Sequence, residues 1–269
     1  MVEPATPALE RLQNNVKLFA ALVEGLEAVV RACANIESEP VRIATPFLQN
    51  MWALAAGMRD ILRARRQDGR TVWNAPALSV LARALQETYI NFYYFAVERP
   101  DEEEVQLRRR LWGRHQVYKR LDLLQRADQS VPEVLNAKED ARRAFLVAQD
   151  ALLEDPKFRG LPKSKADSLA TQKDRYIAEP LEDIWGRAGM FRDHYGTTFR
   201  YFSQSTHATP YALVQLAYHA AGTEDGAVNM NVPVGLALMC CASALDHVGN
   251  LHKEIDALIP GALRAFLKS

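Results

Sequence analysis

The segment that most constrains the fold is SVLARALQETYINFYY, residues 79–94. It is apolar on nearly every side when drawn as a helix, and a helix of this kind is normally buried. It nevertheless carries Arg83 and Glu87, four residues apart and therefore on one face. Burying an unpaired charge is costly. The sequence therefore predicts either a buried ion pair that fixes helix register, or a polar anchor for a ligand or a catalytic side chain.

Apolar residues recur at spacings of three and four along most of the chain, which is typical of amphipathic helices. Such stripes predict a first helix over residues 8–34 and a second that follows Pro46 and ends near Gly69. Four acidic residues at 101–104 suit the start of a helix over 102–126. Alternating strand patterns are missing from the sequence. The predicted fold class is all-α, a multi-helix bundle of about eight to ten helices.

Two stretches read as connections. Residues 155–176 have few apolar anchors and two prolines, and we expect an exposed, partly helical, mobile link. Residues 222–231 are predicted to form a loop, and Thr209 and Pro210 to begin the helix before it. We expect one all-helical domain over 1–269, in which the first helix (8–34) and the C-terminal helices (232–268) pack on a core over about 45–222.

Composition excludes several classes of protein. Lysine plus arginine equals aspartate plus glutamate at 33 each, so no global field favours nucleic acid or anionic membranes. The longest nearly apolar run, residues 234–245, is shorter than the roughly 20 residues that span a bilayer. The N-terminus lacks the basic and apolar parts of a signal peptide. We therefore expect a cytoplasmic protein with no membrane partner, with its three cysteines reduced and buried.

A second polar group lies in RYFSQSTH, residues 200–207. Ser203 and His207 share a helix face, and Arg200 lies one turn before Ser203. The Arg-x6-His spacing resembles the loose pattern of the helical HEPN nucleases, in which arginine holds a phosphate and histidine moves protons without a metal. His207 is then the candidate general acid or base and Arg200 the candidate phosphate ligand. The alternative is that His207 is a structural hydrogen-bond donor.

Metal and cofactor signals are missing from the sequence. Asp246, His247 and His252 do not share a helix face, and phosphate loops, dinucleotide fingerprints and nucleophile elbows are all lacking. We therefore expect no metal and no cofactor. Clustered arginines are most simply solvated helix faces, with RNA contact as the alternative; they are Arg63, Arg65, Arg66, Arg70, Arg108, Arg109, Arg110 and Arg114.

Two segments resemble a bacterial helical family catalogued as domain of unknown function 5677. LARALQETYINFYYFAVERPDEEE is similar to that family's Arg-x3-Glu helix with its Tyr-rich end and acidic continuation. YGTTFRYFSQSTHATPYAL resembles the family's tyrosine, Ser-x3-His and following proline, at Tyr195, Ser203, His207 and Pro210. The resemblance covers about 45–222. It implies that Arg83, Glu87, Ser203 and His207 form a shared polar set, close together in one helical core, and it implies no activity.

These residues leave three alternative roles open. The first is a non-catalytic module that binds a partner or a small anionic ligand, with Arg83, Glu87, Tyr195 and Ser203 as the binding or supporting residues. The second is a HEPN-like, metal-independent ribonuclease, in phage defence or a toxin system, that uses His207 and Arg200 with support from Glu87. The third is a polar set that only stabilises the core. RNA and a small anion are thus the candidate ligands, and a homodimer is a further candidate assembly.

Overall fold

A computed structural model describes residues 6–64, 73–173, 175–206 and 222–259. These residues form eleven α-helices and no strand, which confirms the all-α prediction. A five-residue π-helical segment, Tyr93–Val97, continues the third helix. The helices are α1 (Pro7–Cys33), α2 (Glu39–Arg63), α3 (Ala75–Phe92), α4 (Glu102–Arg126), α5 (Pro132–Leu153), α6 (Pro156–Arg159), α7 (Lys163–Thr171), α8 (Leu181–Arg187), α9 (Arg192–Thr206), α10 (Glu224–Leu251) and α11 (Lys253–Leu258).

The chain divides into two compact units. Unit 1 comprises residues 1–98 and 182–269, and unit 2 comprises residues 99–181. Unit 1 contains α1 to α3 and α9 to α11 together with nearly all of α8, whereas unit 2 contains α4 to α7. That residues 1–269 form one domain remains a prediction.

Helix α10 is the core helix of unit 1, where α1, α2 and α3 pack against it. It begins at Glu224, because the Thr223 side chain accepts a 3.1 Å hydrogen bond from the Gly226 amide and caps the first turn. The predicted loop over 222–231 is therefore wrong from residue 224 onward. Helix α10 is long and apolar enough to cross a membrane. Buried core helices have the same length and composition, and 61% of the most apolar 18-residue stretch of α10 is buried.

Helix α2 also begins earlier than predicted, at Glu39, and contains Pro46 within it. Val41 and Ala44 on its first turns are fully buried. Their burial favours the helix on both sides of Pro46, although a proline removes one backbone hydrogen bond. The predicted start after Pro46 is therefore wrong by two turns.

Unit 2 corrects the prediction of an exposed link over 155–176. This segment forms α6 and α7, and its Phe158 and Leu169 are buried against Leu107 and Leu111 of α4. A small number of well-spaced apolar side chains is enough to fix the segment when each one is fully covered. Residues 155–173 are thus a packed part of unit 2.

Arg114 of α4 is fully buried and organises the end of α7. Its guanidinium donates to the carbonyl oxygens of Leu169 at 2.6 Å, Gln172 at 3.3 Å and Arg175 at 3.0 Å. Carbonyls at a helix C-terminus carry partial negative charge, which offsets the cost of burying the cation. Arg108 is buried as well and pairs with Glu104 and Glu179; the predicted solvated face is wrong for both arginines.

Candidate functional site

Helices α3 and α9 pack against each other in unit 1 and carry most of the predicted polar set. Asn74 caps α3 by accepting a 3.2 Å hydrogen bond from the Ala77 amide. From there Leu78, Ala82 and Leu85 are buried at helical spacing. Side chains at the edge of this buried face meet α9 while they remain partly open to solvent.

Arg83 and Glu87 lie at that edge and pair with each other. The distance from Arg83 Nε to Glu87 Oε1 is 3.2 Å. The side chain of Arg83 is 22% exposed and that of Glu87 is 47% exposed. The prediction of a buried ion pair is therefore wrong: the helix is apolar enough to be buried, but these two positions lie beside the packed face.

Arg83 also lies on an aromatic column formed by Trp185, Tyr195 and Phe199. Its Cζ is 4.5 Å from the centroid of the Phe199 ring, a cation–π contact. The rings of Phe199 and Tyr195 stack at 5.7 Å, and Tyr195 lies 6.1 Å from Trp185. Glu87 accepts a hydrogen bond only from Nε of Arg83. No described residue accepts a hydrogen bond from the two terminal nitrogens of the Arg83 guanidinium.

Ser203 and Arg200 lie further along α9. The Ser203 hydroxyl donates a 2.7 Å hydrogen bond to the Phe199 carbonyl within the helix, and Ser203 is half-buried. Arg200 is exposed. Helix α9 is continuous from Arg200 to Thr206, as the predicted spacing requires. His207 and Pro210 lie outside the described residues, so the contacts predicted for them stay predictions.

The structure thus brings Arg83, Glu87 and Tyr195 together, with Phe199 between the arginine and the tyrosine. The Ser203 hydroxyl donates to the Phe199 carbonyl of its own helix, and no hydrogen bond joins it to Arg83 or Glu87. Of the described members of the polar set, Arg83 and Glu87 thus pair beside an aromatic column, whereas Ser203 hydrogen-bonds within α9.

Gln86 and Phe199 are functional candidates that sequence reasoning missed. Gln86 is fully buried, and its Nε2 donates a 3.1 Å hydrogen bond to Thr198 Oγ1. Its Oε1 is buried with no hydrogen-bond partner among the described residues. A glutamine three residues after Arg83 on an apolar helix was the available signal, since buried polar groups normally have partners.

His247 of α10 forms a third polar group in unit 1. Its ring lies 5.3 Å from that of Tyr93 and 6.3 Å from that of Tyr89, and it hydrogen-bonds the backbone of Ala188. Its Nε2 is buried without a partner in the described part of the chain. Burial lowers the pKa of His247 below its ordinary value. The π-helical segment, which begins at Tyr93, places that tyrosine against the ring.

The Ala188 backbone is contacted by both His247 and Tyr89, whereas Tyr93 contacts the residue before it. Tyr89 Oη donates to the Ala188 carbonyl at 3.0 Å, and Tyr93 Oη donates to the neighbouring Arg187 carbonyl at 2.8 Å. These bonds hold the turn after α8, where Gly189 has a φ of +83°. The described residues contain no cluster of three or more histidine, cysteine or acidic side chains arranged for a metal ion.

The fold and this region define a class of protein: it is all-α, and its third helix carries an arginine–glutamate pair followed by a Tyr-rich end. The model of the family of unknown function DUF5677 matches residues 68–226. The match covers more than half of the chain, and the chain belongs to this family, which confirms the resemblance seen in the sequence. No curated protein and no solved structure matches the chain.

Proposed function

We propose that this protein is a non-catalytic helical module that binds a small anionic ligand, or an anionic group of a partner, at Arg83. The observation that carries the proposal is the set of contacts that the Arg83 side chain makes. Glu87 holds its Nε and the Phe199 ring lies against its guanidinium, while its terminal nitrogens have no acceptor among the described residues. Arg83 also lies within the part of the chain that the family model matches.

An arginine held in this way is suited to anions. The guanidinium is a planar fork that binds a carboxylate or phosphate through two parallel hydrogen bonds. A long side chain that is ordered before binding loses less conformational entropy when the ligand binds. Glu87 opposes an anion only weakly, because its side chain is 47% exposed and its charge is screened by solvent. Arg200, exposed and next to Phe199 in α9, adds positive charge to the same helix.

The test uses inorganic phosphate as the probe, titrated by isothermal calorimetry at constant ionic strength against chloride. Arg83→Gln removes the charge, and Arg83→Lys keeps the charge but loses the fork. We expect both variants to bind phosphate at least about tenfold more weakly, since charge-assisted bidentate bonds are lost.

Arg31 provides the matched control. It also belongs to an arginine–glutamate pair four residues apart, with Glu27, but its side chain is 78% exposed. Arg31→Gln should leave phosphate binding unchanged. Wild-type protein that does not bind phosphate, or Arg31→Gln protein that weakens binding as much as Arg83→Gln does, would contradict the proposal.

A second candidate is the HEPN-like, metal-independent ribonuclease, with His207 and Arg200 as catalytic groups and Glu87 in support. The observation in its favour is that Arg200 is exposed on a helix that continues to Thr206, directly before His207. The assay is cleavage of mixed RNA in a chelator. Cleavage by wild type that is lost in stably folded His207→Ala and Arg200→Ala variants would establish the ribonuclease. Intact RNA with all three proteins would reject it.

A further inference from the structure

Helix α5 of unit 2 carries a self-complementary pattern on its outward face. Leu135, Glu139, Arg142 and Leu146 are separated by four, three and four residues. At about 100° per residue these four side chains fall within an arc of roughly 60°. We call these four residues the α5 outer face. Residues on another side of α5, among them Phe145, are buried in the core of unit 2.

The α5 outer face is open to solvent along its whole length. Leu135 is 47% exposed and Leu146 is 51% exposed, and Glu139 and Arg142 are exposed as well. Neither charged side chain makes an ion pair with any residue that the structure describes, although the neighbouring Asp140 and Arg143 pair with each other. Two exposed leucines beside two uncompensated charges are thus left on a single helix face.

We propose that the α5 outer face is an interface to a second copy of this chain, in which the two α5 helices pair antiparallel about a two-fold axis. Reversing a spacing of four, three and four gives the same spacing. Leu135 of each copy therefore meets Leu146 of the other, and Glu139 meets Arg142 of the other. Each attractive contact is made twice, as a two-fold interface requires.

The order of Glu139 and Arg142 along α5 determines both the orientation of the two helices and which molecule packs on this face. A parallel pair would place Glu139 against Glu139 and Arg142 against Arg142, and like charges in contact oppose association. The antiparallel pair instead places leucines opposite leucines and opposite charges together, as in the layers of an antiparallel coiled coil. The complement of the face is thus the face itself, which is why the occupant is a second copy.

The interface is small, because only one helix from each copy contributes to it. Interfaces at the lower end of the size range are weak and depend on concentration. The two ion pairs between copies lie near solvent, so salt should weaken the dimer further. We expect a reversible dimer that is seen at high protein concentration and low ionic strength.

Sedimentation velocity over a concentration series tests the interface through charge reversal. E139R opposes two positive charges at each former ion pair, and R142E opposes two negative ones. Each variant alone should dimerise at least about tenfold more weakly than wild type. An equimolar mixture of the two should recover the dimer, because each variant then presents the charge that the other lacks. All these substitutions are on an exposed face, and circular dichroism melting checks that the variants fold.

D140R is the matched control, since it changes the net charge by the same amount as E139R but points away from the α5 outer face. We expect it to dimerise like wild type. Three results would overturn the interface: wild type that stays monomeric throughout the series, single variants that dimerise as wild type does, or a mixture that remains monomeric when wild type does not.

Discussion

The guanidinium carbon of Arg83 lies 4.5 Å from the centre of the Phe199 ring, so the arginine is supported by an aromatic face as well as by Glu87. This contact links α3 to α9 at the edge of the buried face. It also lowers the contribution of the ion pair to stability, because each charged group has a second favourable contact. Arg83 lies against the Phe199 ring, and the side chain of Glu87 is 47% exposed to solvent.

Glu87→Gln should therefore cost little stability. A half-exposed ion pair contributes at most about 1 kcal/mol, and the Phe199 ring still holds the arginine in the variant. Urea denaturation of wild type and variant at neutral pH measures the difference in free energy of unfolding. A loss of about 3–5 kcal/mol, the effect of breaking a buried pair, would show that the two charges are enclosed after all.

Arg114→Met should be strongly destabilising. The substitution leaves the carbonyl oxygens of Leu169, in α7, and of Arg175, after that helix, without their donor, at a cost of about 3 kcal/mol or more in the free energy of unfolding. The comparison is Arg126→Met, on the same helix, where the side chain is 76% exposed and the expected change is within about 0.5 kcal/mol. Equal urea midpoints for the two variants would contradict the role assigned to Arg114.

His247 should make the folded protein sensitive to acid. The ordinary histidine pKa is about 6.5, and burial lowers the pKa of His247 in the folded chain. Above pH 6.5 both states are neutral and the group has no effect. As the pH falls below about 6.5, the unfolded chain takes up a proton that the folded ring resists, so stability decreases until the lower folded pKa is passed.

The surroundings of the ring support this sign. Tyr89 and Tyr93 face it as neutral groups, and the exposed Asp246 beside it only partly favours the charged form. His247→Phe should remove the loss of stability below pH 6.5 while costing about 1 kcal/mol at pH 7.5, from the lost hydrogen bond to Ala188. Urea midpoints at pH 5 to 8 measure both effects. His194→Gln, at an exposed position on α9, serves as the control, and parallel profiles for wild type and His247→Phe would refute the prediction.

Sequence reasoning succeeded where a local signal decides the structure. Helix α4 was predicted over 102–126 and is found there, because Asp101 accepts a 2.8 Å hydrogen bond from the Glu104 amide and the acidic first turn matches the helix dipole. The family resemblance was likewise carried by local motifs. Predictions failed at Pro46, which was taken as the residue before a helix, and over residues 224–231, which were taken as a loop, because the burial of neighbouring side chains outweighed local propensity.

The sequence by itself determined that this chain is all-helical, where several of its helices begin and end, and that Arg83 and Glu87 share a face, because backbone capping and helical periodicity depend on residues close together in the chain. Only the tertiary structure decided which of those faces are covered. Arg114 and Arg126 are both basic residues of α4, yet one is fully buried and the other mostly exposed. Burial depends on what other segments bring to each side chain: the end of α7 covers Arg114, and Phe199 of α9 supports Arg83.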